Sequence, residues 1–164
     1  MSDALDPLPL LRHLGEHRVD YIVIGGFAVN AHGHVRSSND LDVVPNPSRE
    51  NLERLARALR DAHSVDAEVS DFDAAELPRS ATRAEDLEQG GNFRLTTDLG
   101  DLDIMQWVSG IEADDLYAEL DRQALEGNVE GIPVRVCGLD HLRSMKRAAG
   151  RPQDLEDLKR LESD

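Results

Sequence analysis

Residues 21–44 read YIVIGGFAVNAHGHVRSSNDLDVV. A β-branched apolar run stops on Gly25-Gly26, and two aspartates, Asp40 and Asp42, flank one leucine at the start of a second apolar run. YIVI is short, apolar and closed by glycine, which predicts a buried strand. FAVNAHG predicts a short helix closed by Gly33. DLDVVP predicts a second strand, ended by Pro45, which has no N–H to give a ladder. Side chains alternate across a strand, so Asp40 and Asp42 share one face and Leu41 takes the other. Two carboxylates within about 7 Å repel, and burial pushes one toward protonation. A divalent cation relieves that conflict, and carboxylate, water and phosphate oxygens suit Mg²⁺. The plain alternative is an exposed strand end with two solvated acids, because DxD is a short pattern.

Two further features bear on the choice. Gly25-Gly26 follows a strand and opens a helix, where bare backbone N–H groups can meet a phosphate. Downstream, GDLDIM at 100–105 again sets two acids, Asp101 and Asp103, on one face of a strand, with Leu102 and Ile104 toward the core. Three carboxylates on neighbouring strands can hold two metal ions about 3.5–4 Å apart around an in-line phosphoryl displacement.

The remaining elements build outward from this centre. Leu8, Leu11 and Leu14 predict a helix over 7–17, with Pro7 and Pro9 in its tolerant first turn. Asn46-Pro47 predicts a helix start with proline at the first helical position, and Leu52, Leu55, Ala56 and Leu59 its apolar face. Residues 64–90 are acidic and interrupted by Pro78 and Gly90-Gly91, which predicts a loop-rich segment. NFRLTT and LDIMQWV predict two strands joined by a tight turn at Asp98-Leu99-Gly100. A helix over 113–125, a strand at IPVRVC and two helices over 139–149 and 152–162 complete the chain. The class is α/β (α+β): one mixed, twisted sheet with helices packed on it and a C-terminal helix pair.

Composition sets the bounds. The 164 residues are 40% hydrophobic and 31% charged, which fits one folded domain over 1–164, its core about 7–136 and its final helices about 139–162. No apolar stretch approaches the roughly 18–20 residues needed to cross a bilayer. The start MSDALDPLPLLRHLG lacks the basic lead of a secretory signal, and the single Cys137 has no internal disulfide partner, so a cytoplasmic location is expected. The net charge of −15 disfavours nucleic acid except at HLRSMKRAAGR, 141–151, which carries Arg143, Lys146, Arg147 and Arg151 without an acid. A solvated face near a helix C-terminus is the plain reading of that segment. Asp154 and Asp157 read as exposed acids of a first helical turn, or as site residues. His32 and His34 read as turn residues, Met105 and Trp107 as core, and Cys137 as a small buried hydrophobe.

IGGFAVNAHGHVRSSNDLDVV resembles the signature of the nucleotidyltransferase (DNA polymerase β-type) superfamily: a hydrophobic residue, Gly-Gly or Gly-Ser, then a DxD strand. GDLDIM is similar to its third-carboxylate strand. LDHLRSMKRAAGRPQDLEDLKRL resembles the C-terminal helices of its small bacterial AbiEii-like and minimal members, found in toxin–antitoxin and phage-defence systems. The resemblance covers nearly the whole chain apart from 64–90, and its one departure in the signature is Gly26 where serine is also common.

It implies a nucleotidyltransferase-like fold and transfer of a nucleoside monophosphate from an NTP to an acceptor hydroxyl, with Mg²⁺ or Mn²⁺ as cofactor. Gly25 and Gly26 would cradle the triphosphate, and Asp40, Asp42 and Asp103 would be the catalytic metal ligands. Asp101 competes with Asp103 for the third place. Arg36, Ser38 and Lys146 would meet phosphates, and Asp154 is a weaker member of the site. The implied acceptor is a tRNA end, a protein or a small molecule, with a partner protein or a second copy completing the site. The competing reading is a non-catalytic, antitoxin-like binding partner that keeps the scaffold.

Overall fold

Tyr21–Ile24 (β1) is the hub of the molecule: all four residues are buried, so both faces of this strand are covered. The computed structural model describes residues 6–33, 39–70 and 79–162. β1 runs antiparallel to Asp40–Pro45 (β2) and parallel to Ile132–Val136 (β7). On the β2 side follow Gly100–Ile104 (β5), Asn92–Thr97 (β4) and Val65–Ser70 (β3). Leu125–Val129 (β6) lies outside β7, so the order among the described residues is β3-β4-β5-β2-β1-β7-β6.

Matched register separates the two faces. Leu41, Leu102 and Leu95 form one row across β2, β5 and β4, and Val43, Ile104 and Phe93 form the next; all six are buried. The alternate rows are Asp42, Asp103, Arg94 and Asp40, Asp101, Thr96. Because residues paired across a sheet share a face, apolar rows on one side leave a polar strip on the other.

Helices cover the sheet. Leu8–Glu16 (α1) buries Leu10, Leu11 and Leu14. Gly25–Ala31 (α2) follows β1 without a linker. Arg49–Asp61 (α3) buries Leu52, Leu55, Ala56 and Leu59, the face expected from their spacing. Ala84–Glu88 (α4) packs on α3, and Leu116–Asp121 (α5) packs on β1 and β2. Leu139–Ala149 (α6) and Pro152–Glu162 (α7) pack together, and Gly150 turns between them at φ +62°, which glycine adopts without a Cβ penalty.

Four local expectations need correction. The third helix does not start at Asn46-Pro47: Asn46 Oδ1 accepts from Ser48 N in a turn, and Ser48 is the cap, its hydroxyl accepting from Asn51 N at 3.3 Å. The segment 64–90 holds the edge strand β3 and α4, although part of it, 71–78, lies outside the described residues. The helix expected over 113–125 stops at Asp121. Residues 125–129 instead form β6, joined to β7 by a Glu130-Gly131 turn with positive φ at both positions, the twist a two-residue hairpin needs. The strand expected through Trp107 ends at Ile104.

Asn51 joins three of these elements. It is buried; its Oδ1 accepts from Asp20 N at 2.7 Å, and its Nδ2 donates to Asp20 O and Asn46 O at 2.9 and 2.8 Å. One side chain thus ties the entry of β1 to the exit of β2. Asn51→Ala removes these bonds and leaves backbone groups unpaired, so a loss of about 2 kcal/mol is expected in urea unfolding; an unchanged midpoint would show that the tie is dispensable.

Candidate active site

The in-register pairing of parallel strands β2 and β5 sets Asp42 beside Asp103 and Asp40 beside Asp101. Asp40, Asp42 and Asp103 each offer a carboxylate oxygen within 4.8 Å of the others. Asp101 is exposed and not part of this group of three. The structure therefore brings together the three acids expected from the sequence and leaves the competing position beside them.

Burial pushes the Asp42 carboxyl well above the usual carboxylate range. The neighbouring Asp103 charge, its hydrogen bond and the Asp40 charge add to that rise, while Lys146 opposes it. Asp103 is also raised, first by burial and also by Asp40 and Asp101, against the Asp42 hydrogen bond and the Arg94 charge. Arg94 Nε stands 3.6 Å from Asp103 Oδ1, a buried oxygen that accepts no hydrogen bond. A buried acceptor with no donor and a pair of carboxyls that resist joint ionisation fit a cation, because a positive ion satisfies the oxygen and removes the repulsion. The donor set is all oxygen, which suits Mg²⁺ or Mn²⁺.

Gly25 closes the site from above. Its φ is +74°, and a Cβ at this position would run into the Asp42 carboxylate. Only glycine lets the backbone lie this close to the acids. Gly26 is buried in the first turn of α2, whose N-terminal N–H groups begin at the same point. Arg36 and Ser38 lie outside the described residues.

The basic segment divides in two: Arg147 and Arg151 are exposed, as a solvated face requires, whereas Lys146 is buried. Arg143 donates to Leu161 O at 2.6 Å, and Arg147 pairs with Glu162 at 2.9 Å. Arg151 Nε pairs with Asp154 at 2.6 Å. Lys146 is itself buried, its ammonium 3.3 Å from Asp154 and 3.0 Å from Asp157. Arg143, Lys146 and Arg147 tie α6 to α7, while the side chains of Arg147 and Arg151 stay largely exposed, at 59% and 75%. Asp154 and Asp157 are correspondingly 1% and 0% exposed, so they are not free acids of a first turn. Burial alone would raise Asp154, but its bond to Arg151 and the Lys146 charge outweigh burial and hold it low.

Lys146, Arg151 and Asp154 nevertheless face a cleft of about 250 Å³ that begins at Gly25 and Asp42. Met105 and Trp107 line the same cleft; Trp107 is 45% exposed and is not a core residue. Sequence reasoning missed its place because an aromatic after an apolar strand reads as a continuation of that strand. His32 ends α2 with its Nε2 3.0 Å from Cys137 O, and His34 lies outside the described residues. Cys137 is fully buried, its thiol pushed up to about 12 by burial.

Two outcomes are expected. A folded-state pKa raised above the unfolded value favours the fold below the unfolded value, and that contribution is lost as pH rises through the folded one. Asp42 therefore opposes folding increasingly as pH rises above the unfolded value when no cation is bound. Asp42→Asn should melt higher than the wild type at pH 7 without metal, with the difference shrinking in acid; a lower melting temperature would contradict this. Lys146→Met removes the buried ammonium held between Asp154 and Asp157, and a loss of about 3–5 kcal/mol is expected in urea unfolding at pH 7.

No protein-family model and no curated protein matches the sequence. Solved structures do match. The lincosamide antibiotic adenylyltransferase LnuA superposes with a TM-score of 0.62 at 13% identity, over 98% of this chain and 99% of that one. The antibiotic-resistance factor ANT(2'')-Ia gives 0.59 at 18% identity over 94% and 79%. A candidate nucleotidyltransferase of Thermotoga maritima gives 0.58 at 17% identity over 97% and 95%. This chain carries the nucleotidyltransferase fold.

Proposed function

We propose that this chain is a nucleotidyltransferase that moves a nucleoside monophosphate from an NTP to an acceptor hydroxyl. The observation that carries the reading is the convergence of Asp40, Asp42 and Asp103 beneath the Gly25 turn. Asp40, Asp42 and Asp103 would hold Mg²⁺ or Mn²⁺, which when bound supplies charge neutralisation at the reacting phosphate. The N–H groups at the start of α2 receive the triphosphate. The acceptor oxygen attacks the α-phosphorus, its proton passes to the Asp103 carboxylate, and the bond to the β-phosphate breaks with release of pyrophosphate. Most of the rate comes from positioning and charge, as in other phosphoryl transfers.

For the acceptor we favour a small molecule. Lys146 is buried and Arg143, Arg147 and Arg151 are each paired within the chain, the last two with acids, which weakens the basic track that an RNA would follow. The net charge of −15 points the same way. Two of the fold neighbours are a lincosamide antibiotic adenylyltransferase, bound to lincomycin, and an antibiotic-resistance factor, also seen in complex with adenylyl-2''-tobramycin, and both of these ligands are built on small molecules. The toxin–antitoxin or defence setting rests on the sequence resemblance. No helix among the described residues is long and apolar enough to cross a membrane.

The test is a thermal melt with each NTP, with and without MgCl₂, followed by incubation of α-labelled NTP with a panel of hydroxyl-bearing antibiotics. Metal-dependent stabilisation by at least one NTP is expected in the wild type, and its loss is expected in Asp40→Asn and Asp103→Asn. A wild type indifferent to every metal–NTP pair would instead fit the non-catalytic binding partner.

A further inference from the structure

Trp107 stands on the loop after β5, and that loop is fixed at several points. Asn92 Oδ1 accepts from Gln106 N and Trp107 N at 2.8 and 3.3 Å, and its Nδ2 donates to Trp107 O at 3.2 Å. Val108 and Ile111 form a β-bridge just beyond. Gly110, at φ +96°, presses on α6 so closely that a Cβ there would stand 2.5 Å from Ser144 O and 2.8 Å from Ala148 Cβ. A large aromatic held half in water by a braced loop has an exposure set by the backbone, not by a loose tail.

The ring lines the cleft that runs from Gly25 and Asp42 to Arg151, with Met145 of α6 also on its wall. The volume, about 250 Å³, falls below the roughly 300–1,000 Å³ of pockets that engulf a drug-sized ligand. A flat ring with its sugar suits it better than a whole antibiotic. Thioether and aromatic side chains offer polarisable surface to such a ring. The charge pattern agrees. Asp154 is offset by Lys146 and Arg151, so beyond Asp42 the cleft holds no uncompensated carboxylate to attract a polycationic acceptor.

We propose that Trp107 is the stacking platform for the nucleobase of the NTP. The acceptor then approaches from the other side of the acids, across the open strip of Arg94, Thr96 and Asp101. The assignment rests on the transferase reading above and adds which moiety occupies the α6 side of the site.

Trp107 is the only tryptophan in the sequence, so emission excited at the red edge, where the two tyrosines do not absorb, reports on this position alone. Titration with ATP, GTP, CTP and UTP, each with MgCl₂, should change that emission for at least one nucleotide, whereas magnesium tripolyphosphate should leave it nearly unchanged. By calorimetry, Trp107→Ala should weaken binding of that nucleotide about tenfold, the scale of one base–aromatic stack, while Trp107→Phe stays close to wild type. Tripolyphosphate affinity should be the same in all three proteins. If an NTP binds with unchanged emission and with equal affinity in Trp107→Ala, the platform is wrong and the transferase reading stands. If the wild type binds no NTP with metal, both fall. Emission that answers to lincomycin or tobramycin and to no nucleotide assigns the cleft to the acceptor and overturns the proposal.

Discussion

Two carboxyl groups set side by side in a partly buried site repel each other, and the strand pairing leaves them no way to separate. Asp42 and Asp103 occupy paired positions on parallel β2 and β5, with rigid backbone on each and buried leucine, valine and isoleucine on the reverse face. Turning either acid away would mean shifting a strand by one residue, which would carry the apolar rows out of the core. The core therefore holds the acids in opposition. The metal-free protein answers by retaining a proton where an ordinary aspartate would have none. A bound cation would answer more strongly, and the site is in this sense preorganised for one.

The second layer is the α6–α7 pair. Lys146 sits between Asp154 and Asp157 with almost no access to water, and its charge also reaches Asp42. One buried lysine thereby joins helix packing to the electrostatics of the acid site. Its removal would disturb both, so a loss of activity in a Lys146 variant needs a folding measurement beside it before it can be read as lost phosphate contact. Arg151, at the rim of the same cluster, keeps a cation near the cleft while Asp154 fixes its direction.

Much of this was legible in the residue order. The strand YIVI, the glycine pair and the alternation of Asp40-Leu41-Asp42 and Asp101-Leu102-Asp103 fix which side chains share a face, and local alternation is enough to place them. What sequence alone did not yield has physical causes. β6, LEGNV, is an outer strand where charge, glycine and asparagine replace the apolar alternation, whereas β3, VDAEVS, does alternate but lies in an acidic stretch that Pro78 and Gly90-Gly91 make read as loop. Ser48 capping could not be separated from an Asn46-Pro47 start, because both residues accept hydrogen bonds at a helix entrance. The burial of Asp154 and Asp157 depends on a partner helix ending its turn at Gly150, a tertiary fact with no local mark.

The contact between Gly25 and Asp42 has a bearing on descent as well as on chemistry. Any larger residue at 25 must displace the acid, so neither position can drift while the other keeps its task. Once a lineage abandons the ion, nothing in this contact holds the glycine any longer, and a side chain becomes admissible there. A bulky residue at that point in a related chain would then mark a pensioned scaffold even where the aspartates still linger.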